Sequence, residues 1–207
     1  MTLPTFNPPR ASPFRQCWQS PYRKNSDRPR IVTRVILIVA GVAGSGKTTI
    51  GALLAGHLHW RFADADTFHS EANVAKMRAG IPLTDADRQP WLRAVAAWVD
   101  ERISGGESAV ITCSALKRAY RDLLLDGRPA ASLVFLEVTR DELEQRLLTR
   151  PDHFFPERLL DSQFEALELP TPDEPRVRTV REEGDSGQTA AKVIATLWPD
   201  GVPAPLP

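Results

Sequence analysis

Val35-Ile36-Leu37-Ile38-Val39-Ala40-Gly41-Val42-Ala43-Gly44-Ser45-Gly46-Lys47-Thr48 is the stretch on which the fold turns. Its first five residues form a continuous apolar run rich in β-branched side chains, as expected of a strand buried on both faces of a parallel sheet. The last eight, Gly41 to Thr48, fit the pattern G-x-x-x-x-G-K-[ST]. In that pattern glycines let the backbone wrap closely, so that successive N–H groups point at phosphate oxygens beside a helix N-terminus. Gly41, Gly44 and Gly46 are those glycines, with Ser45 and Thr49 in the same cradle. Lys47 is placed to reach the β- and γ-phosphates of ATP, and the Thr48 hydroxyl to ligate Mg²⁺. From Lys47 to Leu58 the residues Ile50, Leu53, Leu54 and Leu58 fall at helical spacing, so the Gly-rich segment joins a strand to a helix.

Outward from this loop, strand-like pieces recur at Trp60–Ala63, Ser108–Cys113, Ser132–Val138 and, more weakly, Arg176–Val180. Helical patterns separate them at Glu71–Arg78, Gln89–Ser104, Leu116–Leu125, Arg140–Thr149, Pro156–Leu167 and Thr189–Leu197. The alternation predicts an α/β fold of three layers, a parallel sheet of about five strands with helices on both faces. Ligands then gather at the carboxyl ends of the strands. The chain has 207 residues, which suits one domain, taken as 31–198, with appendages.

The appendages have their own composition. Residues 1–34 carry Arg10, Arg15, Arg23, Lys24, Arg28, Arg30 and Arg34 against the single acid Asp27, together with six prolines. Residues 1–30 are read as a disordered basic leader, because such a segment cannot bury enough surface to offset its ordering entropy. The alternative is a native start near Val35. Residues 199–207 form a Pro-rich tail expected to fray. The whole chain balances 26 basic against 26 acidic residues, which gives no general case for nucleic-acid or membrane binding. No apolar h-region of about seven residues precedes Ile31, and no run approaches the ~20 residues of a membrane span. The two cysteines, Cys17 and Cys113, show no zinc spacing and fit a reduced cytoplasmic setting. Asn7, Asn25 and Asn73 are the only asparagines and none precedes Lys, so the guanine-reading Asn-Lys-x-Asp motif of GTPases is missing.

After the second strand comes Asp64-Ala65-Asp66-Thr67-Phe68-His69. Alternation along an extended segment sends both carboxylates to one side, where one can hold Mg²⁺ through water and the other accept an alcohol proton. An ordinary Asp-rich turn is the competing reading.

At this point the sequence resembles the gluconokinases, small P-loop kinases that phosphorylate the 6-hydroxyl of D-gluconate. The resemblance runs from about Val35 to Pro170. It rests on the loop at 41–48, on 64–69, on Pro82-Leu83-Thr84-Asp85-Ala86-Asp87-Arg88-Gln89-Pro90-Trp91-Leu92, on Cys113–Asp122, and on His153-Phe154-Phe155 with Leu159–Glu165. It implies ATP and Mg²⁺ as cofactors, D-gluconate as acceptor, and a homodimer. It implies Asp66 as the group that orients or deprotonates the acceptor hydroxyl, with Asp64 nearer the metal. His69 belongs either to the acceptor pocket or to helix capping and packing. Where the family usually has glycine and proline, this chain has Ala65 and Ser70.

A sugar acid needs a cation for its carboxylate and hydrogen-bonding groups along its polyol. Lys117, Tyr120 and Arg121 supply such groups after the third strand, and Lys117 with Arg121 at i, i+4 on a helix would make a carboxylate clamp or else a solvated basic face. Arg88 is a further acceptor-side candidate, and Asp85 and Asp87 are read as helix caps. Arg146 and Arg150 precede Pro151-Asp152-His153-Phe154-Phe155, a segment that resembles the family's lid at about 146–156, whose arginines neutralise charge on the transferred group. The charged run Arg176–Glu183 leaves the adenine contacts unassigned. A shikimate-kinase-like transferase and a catalytically silent nucleotide sensor are the alternatives.

Overall fold

The computed structural model describes residues 34–149, 157–182 and 184–202. The chain divides into units 1–30 and 31–207, and the expected leader lies outside the described residues.

Strand β1 (Ile36–Ala40) leads through the Gly-rich loop into α1 (Lys47–Leu58). Then come β2 (Arg61–Asp64), a one-turn 3₁₀ helix (Ala65–Phe68), α2 (Glu71–Arg78), α3 (Asp85–Gly105) and β3 (Ala109–Thr112). The remainder is α4 (Arg118–Leu125), β4 (Ala131–Glu137), α5 (Arg140–Thr149), α6 (Glu157–Glu165), β5 (Val177–Arg181) and α7 (Ser186–Leu197). All four strand pairings are parallel, in the order β2-β3-β1-β4-β5. No described helix is long and apolar enough to cross a membrane.

The apolar run of β1 is explained by its central position. Successive side chains of a strand point to opposite faces. Ile36, Ile38 and Ala40 join one core with Trp91, Leu92, Val95 and Val99 of α3 and Leu124 of α4. Val35, Leu37 and Val39 join the other, with Ile50 and Leu54 of α1 and Ala190 and Val193 of α7. Both faces are covered, so polar residues have no place in the run. The three-layer sheet expected from the sequence is the one observed.

Several boundaries moved, for physical reasons. The helix expected over Gln89–Ser104 begins at Asp85, because Thr84 accepts from Asp87 N while the Asp87 side chain accepts from Thr84 N. A reciprocal cap between Asp185 and Gln188 likewise starts α7 at Ser186. Helix α4 starts late. The chain leaves β3 through Ala115 at φ 40 and Lys117 in extended conformation, so Lys117 caps the helix and does not lie on it. The tail is partly packed, since Val202 rests against the α1–α7 core beside Trp198, whose ring meets Trp60 edge-on at 5.7 Å.

Candidate active site

The loop between β1 and α1 opens at the point where the strand order reverses, with β3 on one side of β1 and β4 on the other. Crevices form there because the flanking connections diverge to opposite faces. Helix α1 has Gly46 at its N-cap, in left-handed conformation at φ 78 and without a side-chain cap. Its first amides are left for a ligand, the arrangement that binds phosphate. Gly41, at φ 143, has no room for a side chain, since a Cβ would stand 2.8 Å from the Leu136 carbonyl oxygen. Ser45 is buried against this turn. Thr49 is exposed on the first turn of α1. Lys47 Nζ donates to the Val42 carbonyl at 2.8 Å. Burial lowers its pKa, opposed by the nearby Asp66, Cys113 and Asp64.

Beyond the loop lies a cleft of about 650 Å³, lined at its phosphate end by Ala43, Gly44, Lys47 and Thr48. Thr48 Oγ1 donates to Asp64 Oδ2 at 2.9 Å, so the hydroxyl and the carboxylate expected at the metal are adjacent. The two aspartates do not share one extended segment. Strand β2 ends at Asp64, whose Oδ1 caps the 3₁₀ turn by accepting from Asp66 N at 3.1 Å, and that turn carries Asp66 into the cleft. Asp64 therefore fixes Thr48 and the Asp66 backbone together. The donor set of a hydroxyl and a carboxylate suits Mg²⁺, which prefers hard oxygen ligands and keeps waters and substrate phosphates around it. Among the described residues no group of three His, Cys, Asp or Glu side chains gathers into a metal cage.

At the acceptor end His69 stacks on Trp91 with centroids 4.4 Å apart and planes at 12°, and Trp91 Nε1 donates to the Ala65 carbonyl at 2.7 Å. The stack joins α3 to the turn that carries Asp66. His69 also meets Asn73 Nδ2 at 3.5 Å and lines the cleft, so packing and pocket readings both describe it. Burial lowers the His69 pKa; Asp66 raises it and Arg88 lowers it further, which favours the neutral ring near pH 7. Arg88 lines the cleft from the first turn of α3, its Nε donating to the Leu83 carbonyl at 3.3 Å. Ser70 does what the missing proline does not, capping α2 through Asn73 N.

The carboxylate clamp of Lys117 and Arg121 is not formed. Arg121 is 1% exposed, and its Nε and Nη2 bond Glu174 at 2.6 and 2.8 Å while Nη1 serves the carbonyls of Ala115, Leu116 and Glu168. It holds the chain after α6 against α4. Lys117 Nζ bonds both oxygens of Asp85 at 2.8 Å, and the Tyr120 hydroxyl donates to the same carboxylate. Those two donors depress the Asp85 pKa, and burial followed by the Asp85 bond raises that of Tyr120. The two residues tie α4 to α3 and do not line the cleft. The expectation fails because the Arg121 guanidinium is spent on the buried Glu174 and the Lys117 ammonium on Asp85. Arg88 is thus the one of the four acceptor-side candidates after His69 that reaches the cleft. Arg146 falls on α5, and Arg150 and most of the expected lid lie outside the described residues.

Gln163, Ser162 and Leu159 of α6 close the cleft from above the loop, and the sequence reading gave them no role. Gln163 Oε1 accepts from Ala43 N at 2.7 Å. Its signal was a polar amide on the same helical face as the buried Leu159 and Leu160.

A family model for shikimate kinase matches residues 43–197. A gluconokinase of Gluconobacter oxydans (strain 621H) is 46% identical over 147 residues, spanning 71% of this chain and 83% of that protein. The thermoresistant gluconokinase of Escherichia coli (strain K12) is 43% identical over 163 residues, spanning 78% and 90%. The crystal structure of a gluconokinase from Sinorhizobium meliloti 1021 matches with a TM-score of 0.71 at 38% identity, covering 80% of this chain and 92% of that one. The chain belongs to the shikimate-kinase family that the matching model describes, and within it to the gluconokinases.

Proposed function

We propose that this kinase transfers the γ-phosphoryl group of ATP to the 6-hydroxyl of D-gluconate, giving 6-phospho-D-gluconate and ADP, with the roles divided as follows. The carrying observation is one cleft that joins the uncapped α1 N-terminus and Lys47 to Asp66 and Arg88. The loop amides and Lys47 bind the phosphates and stabilise charge on the group in flight, where positioning and electrostatics do most of the catalytic work. Asp66 accepts the proton of the attacking hydroxyl. Arg88 pairs with the sugar-acid carboxylate, and His69, held neutral on Trp91, donates or accepts along the polyol. Thr48 and Asp64 are the residues that would hold Mg²⁺, whose bound charge would help neutralise the phosphate oxygens. Arg146 and Arg150 take their part in charge neutralisation from the family resemblance. The same reading makes the enzyme a cytoplasmic homodimer, in keeping with the free buried Cys113; sizing of the purified protein by light scattering tests the dimer.

A coupled assay across gluconate, shikimate, other aldonates and nucleoside monophosphates tests the acceptor. Gluconate is the expected substrate, and absence of 6-phosphogluconate while another acceptor turns over would refute the reading. Asp66→Asn is expected to lower kcat by about 10² to 10⁴ with ATP binding retained. Unchanged kcat would remove Asp66 from its role.

A further inference from the structure

The bond between Ala43 N and Gln163 Oε1 connects residues 120 apart in sequence and is short, at 2.7 Å. Its chemistry settles which way the amide points. A backbone N–H only donates, so the oxygen of Gln163 must face Ala43 and the NH₂ must face away. Gln163 lines the cleft, and its Nε2 has no hydrogen-bond partner among the described residues. The helix around it is otherwise committed to packing, with Leu159 and Leu160 buried one turn earlier and Phe164 against the core. A glutamine on that stripe, with its oxygen engaged and its two N–H groups turned to an open cleft, is a preorganised donor.

The two ends of the cleft call for different donors. Its phosphate end already holds the loop amides and Lys47. The acceptor end must satisfy a row of hydroxyls; Arg78, Arg88, His69 and Ser114 line it, and the Ser162 hydroxyl is already donated to the Leu159 carbonyl at 2.8 Å. A neutral donor fixed to the phosphate loop, close to where the transferred group must sit, meets that need.

We propose that Gln163 contacts the acceptor directly, its Nε2 donating to a hydroxyl oxygen of the polyol chain, while its Oε1 bond to Ala43 fixes that hydrogen bond relative to the phosphate loop. This rests on the gluconate reading above. Gln163 is then a determinant of polyol specificity whose position is set by the loop that holds the nucleotide. A substrate lacking oxygen at that point displaces water from the amide and leaves it unpaired, a costly state that selects against it.

Two variants of the full chain separate this role from a structural one. Gln163→Glu keeps an oxygen for Ala43 N and removes the donor, whereas Gln163→Met removes both without adding charge. Steady-state kinetics with each substrate varied in turn, alongside thermal melting, are expected to show KM for gluconate raised about tenfold in both variants. KM for ATP should stay within about threefold, and Gln163→Glu should melt as the parent does. If Gln163→Glu matches the parent for both substrates, Gln163 is only a clasp between α6 and the loop and the proposal falls. If KM for ATP rises instead and that for gluconate does not, the amide serves the nucleotide and the proposal also falls. Should the parent chain turn over another acceptor and not gluconate, the functional reading fails separately, and the same KM comparison on that acceptor decides Gln163.

Discussion

Arg121 shows how burial redirects a residue whose type suggests ligand binding. Its guanidinium makes five hydrogen bonds to protein oxygens, two of them on Glu174, which is itself buried. Removing one partner of such a pair strands a charge in a low-dielectric interior. Arg121→Leu is therefore expected to cost about 3–5 kcal/mol of stability, measured by urea denaturation, with kcat and KM for gluconate near the parent values at temperatures where the variant is folded. A selective rise in gluconate KM without loss of stability would restore Arg121 to the acceptor site. The bond to Arg121 lowers the Glu174 pKa, against the opposing effect of burial.

At the scale of elements, the loop and α1 depend on a backbone that side chains would spoil. Gly46 stands at φ 78, and a Cβ there would lie 2.8 Å from Glu182 Oε1 after β5. Gly46→Ala combines a left-handed penalty of about 1–2 kcal/mol with a displaced carboxylate. The expected result is loss of ATP binding by calorimetry in a protein whose circular dichroism is unchanged; wild-type affinity would show that the loop tolerates the shift. The strand-loop-helix unit was legible because two periods and a glycine pattern agree within 24 residues, from Val35 to Leu58. The aspartate pair was legible in identity and wrong in geometry, since a cap on a 3₁₀ turn leaves no periodic trace. The α4 start was misread for a related reason: the left-handed Ala115 that unwinds the chain before it is set by tertiary bonds from Arg121 and Glu168 to the neighbouring carbonyls. Contacts across long separations, such as Ala43 with Gln163, are invisible to local pattern.

Two carboxylates at the ends of helices are tied to cations of neighbouring elements. Asp87 is brought down to about 2 by Lys76 of α2 and by the backbone and hydroxyl of Thr84, and Glu142 to about 2 by Thr139 and by Arg181 of β5. Both folded values lie below the ~4 of an unfolded carboxylate. Their stabilising effect is therefore complete above about pH 4 and disappears as pH falls toward 2. Acid titration by circular dichroism is expected to show the parent losing stability across that window, and Asp87→Asn with Glu142→Gln flattening it; an unchanged slope would assign the acid limb to other groups. Asp64 has a different reach. One oxygen accepts from Thr48 and the other from the backbone of the turn bearing Asp66, so the proposed metal-binding hydroxyl and the proposed base share a single point of attachment. Redesign of this enzyme for another sugar acid should leave residue 64 alone and vary Arg88 and its α2 neighbours, whose anchors are separate from that carboxylate.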